Sequence, residues 1–234
     1  INRYVTVYGR SNDFITNGAL GSVRYRFVFK GPVGHSWGSF GQANPAFAMS
    51  NAIVKLSKLV VPKQPKVSYN VGIVSGGTSV NSIPFEVAME VDLRSVAANE
   101  LAKLDAQFKR LIADAVAEEN ATRATTFGKI VADIQAMGER PSGLVPVDSP
   151  LLKQVTATMR AFDKVPLWET GSTDANLPIS MGIPAIRIGG GGQGGGAHAL
   201  GEWYVDTPDS YLGPQWAALL VSALAGVAPS GVTP

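Results

Sequence analysis

Two histidines, His35 and His198, are the only imidazoles in the chain, and each lies in a glycine-bearing stretch. His35 stands in "GHSWG", and His198 closes "RIGGGGQGGGAHALGEWYV", residues 187–205. An imidazole held by such a loop can polarise a carbonyl, move a proton or ligate a metal. Asn81 falls in a loop between two strand-like runs, and Arg94 ends the second of them. Taken singly these residues mean little, since an arginine at a strand end is usually a solvated charge. Together, His, Asn and Arg on loop positions of one small domain can bind a carboxylate or polarise a carbonyl.

The glycine run invites four readings. A phosphate loop of the G-x-x-x-x-G-K-[ST] kind is excluded, because Gly196 leads into Ala197 and His198 instead of Lys and Ser or Thr. A dinucleotide fingerprint fails as well, since no apolar helical pattern follows directly. What remains is a flexible surface connection or a close-approach loop. Its position after the apolar run "IPAIRIG" favours the second, because open α/β sheets place ligands at the carboxyl ends of strands. Glu202, four residues beyond His198, would orient the ring or share a metal with it. "GSTDANLP" offers Ser172, Thr173 and Asp174 at a helix start, where they either attract an anion or simply cap the helix.

The bulk composition narrows the function classes. With 45% apolar and 16% charged residues over 234 positions, the chain is an ordinary globular protein. A formal charge of +2 and the lack of a Lys/Arg cluster argue against a nucleic-acid partner. No cysteine is present, which removes disulfides, thiolate catalysis and Cys-based zinc sites. No apolar run reaches the roughly 18 residues of a membrane span, so no membrane partner is expected. The compartment stays open, with the cytoplasm as the expectation. "INRYVTVYGRSNDF" has neither a start Met nor a signal-peptide pattern and reads as the middle of a longer chain.

The elements that must position these residues follow from periodicity. "SVRYRFVFKG" alternates as a half-buried strand, and Asn44 with Pro45 opens a helix whose face carries Met49, Ala52, Ile53, Leu56, Leu59 and Val60. Strands are expected at 66–76 and 84–95, a helix from about Asn99 to Glu119, and a strand at 125–137. The order β-α-β-β-α-β predicts a ferredoxin-like domain over 22–137. "GERPSGLVPVDSP" (138–150) reads as a linker, and 1–21 as a strand and connection belonging elsewhere. Beyond 150, helices alternate with short apolar strands, predicting part of an α/β domain. Only two or three strands are visible there, too few for a stable open sheet.

At this point three long motifs carry a resemblance: "GPVGHSWGSFGQANP", "NVGIVSGGTSVNSIPFEVAMEVDLRS" and "GSTDANLPISMGIPAIRIGGGGQGGGAHALGEW". In this order they resemble the dinuclear-zinc exopeptidase and deacylase family of acetylornithine deacetylase, succinyl-diaminopimelate desuccinylase, glutamate carboxypeptidases, aminoacylases and peptidase T. The resemblance implies a ferredoxin-like lid that mediates dimerisation (22–137) and the C-terminal part of an α/β catalytic domain (138–234). It implies a zinc-dependent hydrolase that cleaves the amide bond of an N-acyl amino acid or small peptide with a metal-activated water. His198 then resembles a zinc ligand, and His35 the lid histidine that stabilises the oxyanion in the partner subunit's site. Asn81 and Arg94 resemble the pair that holds a substrate carboxylate or amide, and Thr173, Gly190 and Gly191 resemble substrate contacts made through the backbone.

One departure is large. The family's H-x-D motif, bridging Asp and adjacent Glu-Glu pair have no counterpart; the sole Glu-Glu, Glu118-Glu119, ends a lid helix. Two zinc ions need roughly three or four ligands each, which one histidine does not supply. The expectation is therefore a C-terminal fragment that lacks the zinc site and is inactive alone. The rival expectation is a stand-alone dimerisation or binding module without catalysis.

Overall fold

The computed structural model describes residues 2–226. Two compact units emerge: Ile1–Leu20 with Pro141–Pro234, called unit 1 below, and Gly21–Arg140, unit 2. The chain thus begins in unit 1, leaves it for 21–140, and returns. Among the described residues no helix is long and apolar enough to cross a membrane.

Unit 1 opens with β1 (Tyr4–Val7) and β2 (Phe14–Ala19). The second of these was not expected from sequence. "FITNGA" contains an Asn-Gly pair, which reads as a turn. Yet Ile15 to Ala19 are all buried, and Asn17 is satisfied by donating Nδ2–H to the Val145 carbonyl at 2.8 Å. A buried polar side chain with its partners in place is compatible with a central strand, whatever its turn propensity.

Unit 2 runs β3 (Gly21–Lys30), β4 (Gly34–His35), α1 (Pro45–Ser57), β5 (Val67–Gly76), β6 (Ser82–Ile83), β7 (Glu86–Ser95), α2 (Ala98–Thr122) and β8 (Val131–Arg140). The four long strands form a sheet in the order β5-β7-β3-β8, with every pair antiparallel. This is the ferredoxin-like βαββαβ arrangement, and the chain is of the α/β class. One sheet face is covered by α1 and α2. Phe27, Phe29, Met89, Leu93, Leu56 and Phe108 are fully buried between the layers, each contributing about 1.5–3 kcal/mol by leaving water. The other face is polar, crossed by Arg24–Asp92 and Arg26–Glu90 pairs, both at 2.8 Å.

Helix α1 starts as its sequence requires: Asn44 Oδ1 accepts the Ala46 N–H at 2.9 Å and Pro45 takes the first position. It ends earlier than expected. Lys58 is the C-cap and Val60 is 93% exposed, off the apolar face. Two β-branched residues immediately before Pro62 disfavour helix there. Strand β8 also differs from its expected span, beginning after the turn at Gly128 (φ 132°) and continuing through Arg140 until Pro141 stops it.

Back in unit 1 come β9 (Gly143–Leu144), α3 (Pro150–Arg160), β10 (Leu167–Gly171), α4 (Asn176–Ser180), β11 (Ala185–Ile188), β12 (Gln193–Gly195), β13 (Trp203–Val205) and α5 (Leu212–Ala225). The expected two or three strands become a five-stranded mixed sheet, β1-β11-β2-β10 with β9 on β2. Strands from before and after unit 2 interleave, which no local reading of 138–234 reveals. Within 138–150, read as linker, Gly143–Leu144 pairs antiparallel with β2. Ile15, Ile186, Ile188, Leu151, Leu152 and Trp216 fill the core.

One side chain organises the point of departure and return. Asn176, 2% exposed, donates from Nδ2 to the carbonyls of Leu20 (2.9 Å) and Pro141 (3.0 Å), while its Oδ1 accepts the Thr173 N–H at 2.7 Å. Replacing Asn176 by Ala leaves one buried and two half-buried backbone groups without this partner. The Asn176→Ala chain is expected to lose about 2–4 kcal/mol of stability. Urea unfolding followed by tryptophan fluorescence reads this; a loss below about 0.5 kcal/mol contradicts the clasp.

Candidate active site

The candidate residues divide between the two units. In unit 2, β4 and β6 form a short antiparallel ladder with His35 opposite Ser82, and the Ser36 N–H donates to the Asn81 carbonyl at 2.9 Å. His35 and Asn81 thus fall on adjoining rungs, His35 opposite Ser82 and Asn81 opposite Ser36, both exposed. The loop after His35 is fastened by Ser39 N–H to the His35 carbonyl and by Ala43 N–H to the Ala124 carbonyl, both 2.9 Å.

Two partners missed in the sequence set the chemistry. The Trp37 N–H donates to His35 Nδ1 at 3.2 Å. The neutral ring assigned from this bond carries its proton on Nε2, a donor left free to point outward. Ser79 Oγ donates to Asn81 Oδ1, which leaves the Asn81 amide NH2 as a second donor. Each is a side-chain N–H donor of the kind that stabilises developing negative charge on a carbonyl oxygen. The sequence signal was available: a residue two positions after a loop histidine can close such a turn.

Arg94 does not join them. It lies at the far end of β7, in register with Ser22 and Ser68, whereas Asn81 precedes β6 at the Glu86 end. A ten-residue strand spans about 30 Å, so within one chain Asn81 and Arg94 do not converge on a single carboxylate, contrary to their expected pairing. Arg94 Nε donates to Asp92 at 2.6 Å. Partial burial raises the Asp92 pKa, but hydrogen bonds from Arg24 and Arg94 outweigh it and hold the carboxyl below its ordinary value. That group contributes stability above the ordinary carboxylate range, and the contribution is lost as pH falls through its depressed value.

In unit 1, His198 is exposed with φ 66°, at the tip of the β12–β13 hairpin. Glu202 Oε2 accepts the backbone N–H of His198 at 3.2 Å; the carboxylate holds the turn, and this bond does not orient the ring. A cavity of about 320 Å³ opens at the base of this hairpin, bordered by Arg10, Asp13, Lys164, Gln193, Trp203 and Asp209. Its charges are balanced, with Lys164 3.3 Å from Asp13.

Three expected substrate contacts turn out to be internal. The N–H groups of Gly190 and Gly191 donate to the carbonyls of Gly9 (2.9 Å) and Ser11 (3.3 Å), so neither is free for a ligand. The glycines are required by crowding: a Cβ on Gly189 would stand 1.9 Å from the Ser11 carbonyl oxygen, and one on Gly191 (φ 101°) 2.2 Å from that of Ser210. Thr173 is 7% exposed. Its N–H goes to Asn176, and its Oγ1 accepts the Ala175 N–H at 3.1 Å. Its hydroxyl closes the turn ahead of a five-residue helix whose N-cap is Ala175, without a side-chain cap, where Ser172 or Asp174 was the expected cap.

Glu118 and Glu119 are likewise structural. Glu118 binds Lys55 at 2.7 Å and Asn51 at 2.8 Å, and the lysine bond is the first cause of its lowered pKa. Glu119 accepts the Asn44 N–H at 3.0 Å. Among the described residues no group of three or more His, Cys, Asp or Glu could hold a metal ion. The donors present in this chain therefore do not fit a dinuclear zinc site by themselves.

A family model described as "Peptidase dimerisation domain" matches residues 17–120, from the end of β2 to the last turns of α2. Residues 17–120 are thus similar to an M20 peptidase dimerisation domain. No curated protein matches significantly by sequence. Solved structures are similar over both units. Aminopeptidase PepT from Bacillus cereus ATCC 10987 aligns with a TM-score of 0.74 and 15% identity, covering 96% of this chain and 58% of that one. A tripeptidase from Staphylococcus aureus subsp. aureus Mu50 gives 0.74 and 15%, covering 96% and 57%. The aminobenzoyl-glutamate utilization protein from Klebsiella pneumoniae gives 0.69 and 17%, covering 99% and 56%. At these identities the likeness is one of fold, and this chain spans a little over half the length of each.

The glycine packing makes a sharp contrast. Gly191→Ala is expected to destabilise unit 1 by more than about 2 kcal/mol, whereas Gly201→Ala, with nothing within 4 Å of its would-be Cβ, stays within about 0.5 kcal/mol of the parent. Thermal unfolding of both variants measures the difference; equal melting temperatures would refute the close approach.

Proposed function

We propose that this chain is the dimerisation and C-terminal part of a zinc-dependent amide hydrolase acting on an N-acyl amino acid or small peptide. What supports this reading is that His35, with its Nε2–H, and Asn81, with its amide NH2, come from adjoining rungs at the β4–β6 ladder in a stretch similar to a peptidase dimerisation domain. In this reading His35 and Asn81 donate to the oxyanion that forms when water adds to the scissile carbonyl. The two donors are fixed before the charge develops, so reorganisation at the moment of reaction is small. Arg94, at the other end of β7, reaches the carboxylate of a substrate whose scissile carbonyl is held by Asn81 only if the two residues come from different copies. Its separation thus supports a site shared across a homodimer, with His35 acting in trans. Two zinc ions are the proposed cofactor and His198 a ligand to one of them. The remaining ligands would come from outside this chain, and no step is assigned to a metal through its residues.

The coding sequence upstream of Ile1 provides the first test: an in-frame H-x-D and Glu-Glu segment is expected, and its absence overturns the hydrolase reading. In the protein with that segment, His35→Ala is expected to lower kcat by about 10²- to 10³-fold with little change in KM. Mixing inactive His35→Ala and His198→Ala proteins should restore about a quarter of the parent rate, because half the dimers are mixed and each mixed dimer has one intact site. No recovery on mixing argues against action in trans.

A second reading is favoured by one observation, the lack of a metal-holding group among the described residues. In that reading the chain acts alone as a non-catalytic dimerisation module. Tight binding of two zinc ions by the 234-residue chain, measured by calorimetric titration, excludes it.

A further inference from the structure

The loop that presents His35 lies between the end of β3 and the start of α1, and its turns are linked in series. The Trp37 N–H donates to His35 Nδ1 at 3.2 Å. The Ser39 N–H donates to the His35 carbonyl at 2.9 Å, the Phe40 N–H to the Trp37 carbonyl at 3.3 Å, and the Gln42 N–H to the Ser39 carbonyl at 3.1 Å. The loop also folds back on its own start: a Cβ on Gly34 would stand 2.6 Å from the Ser39 Cβ. At 3.2 Å the bond to His35 is at the long end of the N–H range, so a small drift of the turn breaks it.

Gln42 ends this series and is only 5% exposed. Its Nε2 donates to the Pro32 carbonyl at 3.2 Å, ten residues back, while its Oε1 has no partner among the described residues. Turning the amide over would set two oxygens against each other, so the nitrogen is the end that faces Pro32. Among the described residues this is the one side-chain hydrogen bond that ties the exit of the loop to its entry. The exit is anchored to the end of α2 as well, by the Ala124 N–H to the Gly41 carbonyl at 3.0 Å and the Ala43 N–H to the Ala124 carbonyl at 2.9 Å. Those are backbone bonds and persist whatever side chain stands at position 42. A buried amide whose oxygen goes unpaired is a poor source of stability, and an apolar side chain of the same length would serve packing better.

We propose that Gln42 is a positioning residue for His35. By joining Pro32 to the exit of the loop, it holds the linked turns in place. The Trp37 N–H then stays on Nδ1, and the ring keeps its proton on Nε2, aimed in one direction. Without the tie the two ends of the loop remain attached, His35 through β4 and Ala43 through α2, but the turn between them shifts. The ring is then free to rotate and to carry its proton on either nitrogen. Gln42 acts through His35 and not by contact with a substrate. The proposal rests on the reading of His35 as an oxyanion donor and adds the residue that fixes its tautomer and direction.

The 234-residue chain has only two imidazoles, so nitrogen NMR of the ring atoms follows His35 with His198 as an internal control. At about pH 8.5, above the ordinary imidazole range, parent His35 is expected to show a single tautomer protonated on Nε2. Gln42→Met keeps the length of the side chain and removes the amide. It should move the two His35 nitrogen signals towards each other, leave His198 unchanged and keep the melting temperature within about 3 °C of the parent. Gln42→Asn, one methylene too short to reach Pro32, should do the same. In the longer protein with the upstream segment, assayed on N-acetyl amino acids, Gln42→Met should lower kcat about tenfold with KM within about twofold. Added to His35→Ala, it should bring no further loss. Unshifted His35 signals in both variants overturn the positioning role. So does a full additional loss on the His35→Ala background, or a melting temperature more than about 10 °C below the parent in both variants, either of which makes Gln42 a packing residue. A His35→Ala protein with the parent kcat instead overturns the oxyanion reading, while the NMR comparison still decides whether Gln42 holds the ring.

Discussion

The amide of Asn176 is the constraint on which unit 1 depends. One NH2 group bonds the carbonyls of Leu20 and Pro141, and the same side chain's oxygen takes the Thr173 N–H. Those carbonyls belong to the residues where the chain leaves unit 1 and comes back to it. Without the amide, β2 and β9 would enter the sheet from two loose ends. With it, the ends of both strands are tied to the turn that begins α4. Asn17 repeats the device one strand further in: its Nδ2–H goes to the Val145 carbonyl, and its own carbonyl accepts the Val145 N–H at 2.9 Å. Two buried asparagines thus hold this seam, and the hydrogen bonds made by their amide groups are what make the burial tolerable.

The ferredoxin-like unit was legible because its sequence is locally consistent. Val23, Tyr25, Phe27 and Phe29 alternate as β3 needs, and Asn44-Pro45 announces α1. The leucine and phenylalanine stripe of α2 fixes which side it buries. Unit 1 was much less legible. Its strands come from two separated segments, and β2, the most buried, is written "FITNGA" with a turn-like pair inside. Polar atoms satisfied across the sheet leave no periodic trace in sequence. His35 and Asn81 could be selected as candidates from residue type, but their adjacency depends on the two-residue ladder β4–β6. No propensity argument predicts so short a pairing.

The glycine run illustrates how residue type suggests a cause and structure supplies another. Seven glycines near a histidine suggest amides offered to a ligand. Instead, those at 189–191 let the backbone press against residues 9–11 and against Ser210, and the N–H groups of Gly190 and Gly191 are taken up in that contact. The histidine they precede is displayed on a hairpin whose turn is held by Glu202. Rigidity here comes from backbone meeting backbone, with side chains excluded from the seam.

The nesting of one unit within the other also dictates an order of folding. Bringing β2 and β9 together across an unstructured stretch of 21–140 carries a loop-closure cost of about 4 kcal/mol. Yet the ladder of β3 with β8 sets Ser22 opposite Arg140, so unit 2, once formed, holds its own two ends as neighbours. A long random loop then becomes a short rigid hairpin, and the cost is met by the unit 2 core, whose pairings do not require unit 1.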